Sequence, residues 1–163
     1  MKNVFSLFGL LFFMFFLTAC SNDIENTDLS NIRLDNMKIG DIISEKNLSK
    51  YTASDRYSEK AKYKFEEICI DVDDKEKINY LFARFDEDYI DININDTNNF
   101  ELIKDIENIL GNNFEDKKYD SEQLLREYVY IDKVNNLKAE FIYSESDDIL
   151  RWIILSERTI FSR

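Results

Sequence analysis

Three runs near the end of the chain decide the predicted fold: LLREYVYI at 124–131, LKAEFIY at 137–143 and ILRWIIL at 149–155. Each run is rich in aliphatic, β-branched and aromatic residues. Polar stretches at 132–136 and 144–148 separate them. Runs of this length joined by short polar turns are typical of antiparallel strands in a meander. The sequence therefore predicts a sheet whose last three strands are consecutive in the chain.

The middle of the chain repeats the strand pattern. Residues 63–72 and 78–85 predict a hairpin with its turn at 73–76. Within 63–72 the alternation of inward-facing residues shifts by one position, as it does at a β-bulge. At 90–95, isoleucines alternate with Asp and Asn, which predicts a third, half-exposed strand. A further short strand is indicated at 32–34.

Two helices are predicted. The spacing of isoleucines near 39–43 indicates a short helix over 40–47. Over 99–110 the spacing indicates a longer helix, with Asn98 as N-terminal cap, Glu101 completing a capping box, and Gly111 as the left-handed stop. Its apolar face consists of Phe100, Ile103, Ile106 and Leu110.

One helix followed by three strands is thus predicted twice, in half-repeats 37–96 and 97–163. Residues 38–42 align faintly with 102–106. The predicted class is α+β, with the strands in one antiparallel sheet and both helices packed on one face. This element order resembles the tandem helix-plus-three-strand architecture of β-lactamase-inhibitory-protein-like folds, which small outer-membrane assembly lipoproteins share. The resemblance implies that the other, concave face of the sheet meets a protein partner.

The N-terminus has the features of a secretory signal. Lys2 precedes an uncharged run at 4–17 that is shorter than the roughly 20 residues of a membrane-spanning helix. Small residues then lead to a cysteine, and Leu17-Thr18-Ala19-Cys20 resembles the lipobox of bacterial lipoproteins. That resemblance implies cleavage between Ala19 and Cys20 and a diacylglycerol thioether on Cys20. The alternatives are an ordinary secretory signal whose cysteine forms a disulfide, or a buried apolar helix.

These features give the predicted organisation and location. Residues 1–19 are the signal peptide, 20–36 a flexible lipid-attached tether, and 37–163 a single domain. The chain has only two cysteines. If Cys20 carries lipid, Cys69 has no intramolecular partner for a disulfide. The protein is expected on the extracytoplasmic face of the cell membrane.

Composition excludes several kinds of chemistry. The net charge is −12, and becomes 20 − 33 = −13 once residues 1–19 with their single Lys2 are removed. Such a surface repels nucleic acid and favours basic partners, although the charge can equally serve solubility alone. The chain has no histidine, which excludes Ser-His-Asp and Cys-His nucleophiles and histidine-containing zinc sites. No enzyme activity and no cofactor are predicted.

The candidate binding face lies on the last three strands. Strand parity there places an aromatic patch opposite the helices, with polar side chains at its edge. Rigid aromatic side chains are enriched at binding hot spots. The alternative is that Trp152 belongs to the core and the tyrosines lie at its margin. The patch is predicted to consist of Tyr128, Tyr130, Trp152, Lys138 and Glu140.

Other candidate sites are weaker. The pattern Asp91-x-Asn93-x-Asn95 resembles the start of a calcium loop, but it has Asp96 where that loop needs glycine and Leu102 where it needs glutamate. No metal site is predicted. Cys69 lies between isoleucines in a predicted strand, which favours a buried, inert thiol.

Together these patterns predict an extracytoplasmic lipoprotein that binds a protein or peptide, as an inhibitor, an immunity factor or an envelope-assembly accessory. Two alternatives stay open. One is a structural envelope lipoprotein without a discrete ligand, and the other is a hydrolase that uses carboxylates.

Overall fold

The computed structural model describes residues 25–55, 61–85 and 90–158. The predicted signal peptide and lipobox, with Ala19 and Cys20, lie outside these ranges. Within them the chain forms nine strands and one α-helix. The elements are β1 (Ile32–Leu34), β2 (Tyr63–Lys64), β3 (Ile68–Val72), β4 (Ile78–Arg84), β5 (Ile92–Ile94), α1 (Ile103–Leu110), β6 (Phe114–Asp120), β7 (Leu125–Asp132), β8 (Leu137–Ser144) and β9 (Leu150–Glu157).

Seven of the strands form one antiparallel sheet in the order β2-β3-β4-β9-β8-β7-β6. The predicted meander β7-β8-β9 is present, and so is a hairpin β3-β4. The single bulged strand predicted over 63–72 is wrong, because the chain turns back after Lys64 and forms two antiparallel strands, β2 and β3. The last strand lies in the middle of the sheet, since β9 pairs with β4 on one side and β8 on the other. Strands β1 and β5 pair separately as a small two-stranded sheet.

The predicted α+β fold with two helix-strand-strand-strand units is wrong. The described chain is mostly β, with α1 as its one α-helix, and helices do not form a layer on the sheet. Residues 40–47 contain only a 3₁₀ turn at Ile43–Glu45. The backbone N–H groups of Gly40 and Ile43 donate to Ile78 and Glu76 of the β3-β4 hairpin instead of forming helix hydrogen bonds. The half-repeats 37–96 and 97–163 are also absent, because β5 leaves the main sheet to pair with β1.

Strand β6 was not predicted. Its sequence FEDKKYD has four consecutive charged residues and no clear alternation of apolar side chains. The strand lies at the edge of the sheet, where both faces of its central residues meet solvent. Charged side chains on an edge strand hinder pairing with other chains. Because this strand needs little burial, hydrophobic patterning gives no signal for it.

Helix α1 forms within the predicted range but starts four residues later. The side chain of Asp105 accepts the backbone N–H groups of Glu101 and Leu102, at 3.0 and 2.9 Å. Asp105 therefore provides the N-terminal capping that was predicted for Asn98 and Glu101. The N–H of Ile103 donates to the carbonyl of Asp148, so contact with the β8-β9 connection determines where the helix begins. At the other end Gly111 has a positive φ of 82°, but its ψ of −171° is not that of the predicted left-handed stop.

The main hydrophobic core lies on one side of the large sheet, here called the packed face. Helix α1 contributes Ile103, Ile106 and Leu110 to this core. Strands β1 and β5 add four buried aliphatic side chains. The packed face itself contributes Ile68, Ile70, Leu81, Ala83, Tyr130, Ala139, Phe141, Ile153 and Leu155.

The folded domain begins well before residue 37. The backbone N–H of Thr27 donates to the carbonyl of Ile131 at 2.9 Å, and the N–H of Leu29 donates to the Asp132 carboxylate at 3.0 Å. Leu29 is 2% exposed and Leu34 is fully buried. The segment predicted as a tether, 20–36, therefore contains a part that packs against β7 and the core. In the described ranges no helix combines the length and the apolar character that spanning a membrane requires.

Candidate functional site

The second face of the large sheet, here called the open face, carries a different set of side chains. Directly paired residues in a sheet point to the same side. Phe82 pairs with Ile154, and Ile154 pairs with Glu140, so these three share one face. None of the open-face residues belongs to the cluster that contains α1, β1 and β5. Its principal residues are Tyr80, Phe82 and Arg84 of β4, Trp152, Ile154 and Ser156 of β9, Lys138, Glu140 and Ile142 of β8, and Val129 and Ile131 of β7.

The structure divides the five residues of the predicted binding patch between the two faces. Trp152, Lys138 and Glu140 lie together on the open face, as expected. Tyr128 pairs with Phe141 and Tyr130 pairs with Ala139, which places both tyrosines on the packed face. The predicted patch of all five residues therefore does not exist as one surface.

The two tyrosines have structural contacts on the packed face. Tyr130 is fully buried, and its hydroxyl donates to the carbonyl of Gly111 at 2.9 Å. Tyr128 stacks on Phe114 with ring centroids 3.7 Å apart. The predicted orientation of the two tyrosines is wrong because aromatic residues alternate with Val129 and Ile131 in β7, so both faces of this strand are apolar. Alternation alone does not show which set points toward the core.

Sequence reasoning missed the aromatic residues that the structure brings to Trp152. The rings of Phe82 and Trp152 have centroids 6.4 Å apart. Tyr119 meets Trp152 edge-to-face, with centroids 5.7 Å apart. In β4, Tyr80 and Phe82 alternate with Leu81 and Ala83, a pattern visible in the sequence. Only the pairing of β4 with β9 shows that these aromatic residues share a face with Trp152.

The contact between Tyr119 and Trp152 indicates that the β6 edge of the sheet curves toward the open face. Strands β6 and β9 are separated by β7 and β8, so their backbones would lie about 14 Å apart in a flat sheet. A register shift between Lys118 and Asp120 bends β6 at Tyr119. The edge of the sheet therefore curls over the open face, and the Tyr119 and Trp152 rings lean toward each other across the two strands.

A partly buried ion pair lies on the floor of the open face. Lys138 Nζ is 2.8 Å from Glu140 Oε2, and the two side chains are only 19% and 17% exposed. Lys138 pairs across the strands with Ile131 and Ser156, so the charges sit among apolar and small side chains. The two charges compensate each other. The floor of the open face therefore has paired polar groups next to its aromatic surface.

Two titratable groups of this face, Cys69 and Tyr80, have raised pKa values. Burial raises the pKa of the Cys69 thiol to about 11, despite a backbone hydrogen bond from Phe65 and the charge of Lys64, so it stays protonated at neutral pH. Burial also raises the pKa of Tyr80, and Cys69, Tyr119 and Glu140 nearby raise it further. Tyr80 therefore keeps its hydroxyl proton, which leaves it able to donate a hydrogen bond.

The calcium-like pattern belongs to a turn after β5. The Asn93 side chain accepts the backbone N–H of Asp96 at 3.2 Å, and Asn95 and Asp96 both have positive φ. The Asn93 side chain thus stabilises the turn that follows β5. In the described part of the chain, no three metal-binding side chains of the His, Cys, Asp or Glu type come together.

Comparisons of the chain with protein-family models, with curated proteins and with solved structures return no match.

Proposed function

We propose that this protein is a lipid-anchored extracytoplasmic lipoprotein whose domain binds a protein or peptide through the open face, as an inhibitor, an immunity factor or an envelope-assembly accessory. The observation that carries the proposal is the concave, aromatic open face. Trp152, Phe82 and Tyr80 are only half-buried there, whereas Cys69 and Ile142, their paired neighbours on the same face, are fully buried. Half-buried aromatic side chains in a concavity supply large contact areas at low entropic cost, as in binding hot spots.

The charges suggest the character of the partner. The net charge of 20 − 33 = −13 that remains after removal of residues 1–19 attracts basic proteins over a distance and speeds their encounter. Arg84 and the Lys138–Glu140 pair add polar groups at fixed positions on the open face. The best-fitting partner is a protein segment with exposed apolar side chains in the contact and net positive charge around it.

Removing the aromatic centre of the open face is expected to abolish partner binding. The soluble chain from Ser21 is immobilised and exposed to envelope extract, in the wild-type form and as Trp152→Ala. We expect one partner in stoichiometric amount with wild type and at least about tenfold less with Trp152→Ala, because hot-spot truncations cost about 2 kcal/mol or more. Val134→Ala is the matched control, since Val134 is 81% exposed on the β7-β8 turn.

Trp152 also gives a direct signal, because it is the only tryptophan in the chain. The partner identified by capture is titrated into the soluble chain while Trp152 fluorescence is followed. A saturable change in emission supports contact at the open face. Equal capture by wild type and Trp152→Ala contradicts that assignment. Absence of a stoichiometric partner favours a structural lipoprotein.

The lipid anchor has a separate test. Cys20→Ser is expected to move the protein from the detergent phase to the aqueous phase after phase partitioning of cell lysate. One buried methylene contributes about 0.8 kcal/mol, so loss of two acyl chains removes stable membrane binding. Cys69→Ser keeps the Cys20 attachment point and is the matched control. Wild-type protein in the aqueous phase would contradict the anchor.

A further inference from the structure

A cavity of about 330 Å³ opens at the end of the large sheet. Its walls come from the N-terminal segment before β1, the loop at 38–40, the β7-β8 turn and the adjoining ends of β8 and β9. This volume lies at the lower end of the range for small-molecule sites, about 300–1,000 Å³. The cavity is thus large enough for a small ligand.

The floor of the cavity is apolar. Leu29, Ile32 and Leu155 line it and are each less than 5% exposed. Ile39 and Leu137 are half-buried and extend the apolar surface outward. Leu155 lies on the packed face, whereas Trp152, Phe82 and Tyr80 do not line this cavity. The cavity reaches the open face only through Lys138, which pairs there with Glu140, so it does not include the aromatic centre of that face.

Polar groups of both charges line the same cavity. The charged residues of the lining are Lys38 from the loop, Glu157 from the end of β9, and Lys138, whose ammonium is paired with Glu140. Ser30, Asn135 and Asn136 add hydroxyl and amide groups. Small-molecule sites typically combine an apolar lining with a few polar groups that orient the ligand.

Asp132 holds two of the walls together. Its carboxylate accepts the N–H of Leu29 at 3.0 Å on the N-terminal segment. It also accepts the N–H of Asn135 at 2.9 Å and the Asn135 side-chain amide at 2.7 Å. The opposite wall is held by Gly40, whose N–H donates to the carbonyl of Ile78 at 2.7 Å. A site whose walls are fixed before binding loses less entropy on binding.

We propose that this cavity binds a small zwitterionic molecule with an apolar side chain, in the class of free apolar α-amino acids. The ammonium of Lys38 pairs with the ligand carboxylate, and the carboxylate of Glu157 pairs with the ligand ammonium. The apolar side chain enters toward Leu29, Ile32 and Leu155. This binding does not use the aromatic centre of the open face, although Lys138 belongs both to the cavity wall and to the open face.

The proposal is tested by adding four related probes to the ¹⁵N-labelled soluble chain and following backbone amide shifts. Phenylalanine carries both charges, 3-phenylpropionate only the carboxylate, 2-phenylethylamine only the ammonium, and toluene neither. We expect saturable shifts at Gly40, Asn135 and Asn136, with phenylalanine about tenfold tighter than either singly charged probe, because a hydrogen bond to a charged group contributes about 1.5–3 kcal/mol.

Variants separate the two charges. Lys38→Met is expected to lower the affinity for phenylalanine about tenfold and to leave the affinity for 2-phenylethylamine unchanged. Glu157→Gln is also expected to lower the affinity for phenylalanine about tenfold, and to leave the affinity for 3-phenylpropionate unchanged. Ile39→Trp fills the cavity and is expected to abolish all shifts, while Lys75→Met on the β3-β4 turn leaves them unchanged. Equal affinity for all four probes overturns the zwitterion assignment. Absence of shifts up to about 20 mM, or shifts confined to the open face, overturns the site.

Discussion

Asp132→Ala is expected to lower the free energy of unfolding by about 3 kcal/mol. Asp132 is fully buried, and its carboxylate accepts the backbone N–H groups of Leu29, Val134 and Asn135 together with the Asn135 side-chain amide, at 2.7 to 3.0 Å. Alanine would leave these donors without their acceptor, and each buried unpaired group costs about 1–3 kcal/mol. Water reaching the turn offsets part of the sum. Urea denaturation at neutral pH measures the loss.

Two substitutions make this measurement specific. Asp132→Asn keeps the shape and one acceptor oxygen, so about half of the loss is expected. Asp74→Ala removes an exposed aspartate in the β3-β4 turn and is expected to cost less than about 0.5 kcal/mol. A loss below about 1 kcal/mol for Asp132→Ala would mean that the N-terminal segment is not fastened through this carboxylate.

The same carboxylate is expected to make stability depend on pH. Burial alone would raise the pKa of Asp132, but hydrogen bonds from Asn135, Leu29 and Val134 outweigh burial and hold that pKa below its ordinary value. A carboxyl whose folded pKa is lowered contributes its full stability above the unfolded pKa of about 3.9, and loses it as the pH falls through the folded value. The stability difference between wild type and Asp132→Asn should therefore be constant from about pH 7 to 5 and shrink below about pH 4. A difference that grows toward acid pH would contradict this sign.

Phe141→Ala is expected to have the largest effect of a single truncation, about 4 kcal/mol of unfolding free energy. Phe141 is fully buried on the packed face, where its ring meets Tyr130 edge-to-face at 5.8 Å. Truncating a core phenylalanine to alanine typically costs about 3–5 kcal/mol, because the lost apolar contact leaves a cavity. Thermal and urea unfolding both measure this loss.

Tyr119→Ala is the matched control for that experiment. Tyr119 is also an aromatic residue of the large sheet, but it is 43% exposed at the edge of the open face. We expect its removal to cost about 1 kcal/mol or less. Similar losses for Phe141→Ala and Tyr119→Ala would show that the open face is as tightly packed as the core, and would remove the physical basis of the proposed binding face.

Local sequence patterns predicted the elements that bury a regular apolar face. Strands β4, β7, β8 and β9 and helix α1 all have such faces, and their predicted bounds differ from the observed ones by at most four residues. The predicted helix over 40–47 failed because its donors at Gly40 and Ile43 find acceptors in a hairpin about 35 residues away. Strand β6 was not predicted, because an exposed edge strand requires no apolar pattern that the sequence could show.

The candidate site was predictable only in part. Trp152, Lys138 and Glu140 were placed on one face because β8 and β9 alternate clearly between strongly apolar and polar residues. In β7 both alternating sets are apolar, so the choice between Tyr128 and Val129 as inward residues depends on register with β8. The contribution of β4 depends on a pairing between residues about 70 positions apart, which local patterning does not contain.

The fastening of Thr27 to β7 limits how far this domain can travel. Seven residues lead from Cys20 to Thr27, and a fully extended chain spans at most about 3.6 Å per residue. With Cys20 held in the bilayer as proposed, Thr27 stays within about 25 Å of the membrane surface. The domain can then search sideways in a thin layer but cannot reach across a wide envelope. A partner would have to come to that layer, either as another membrane-attached protein or as a molecule passing close to the bilayer.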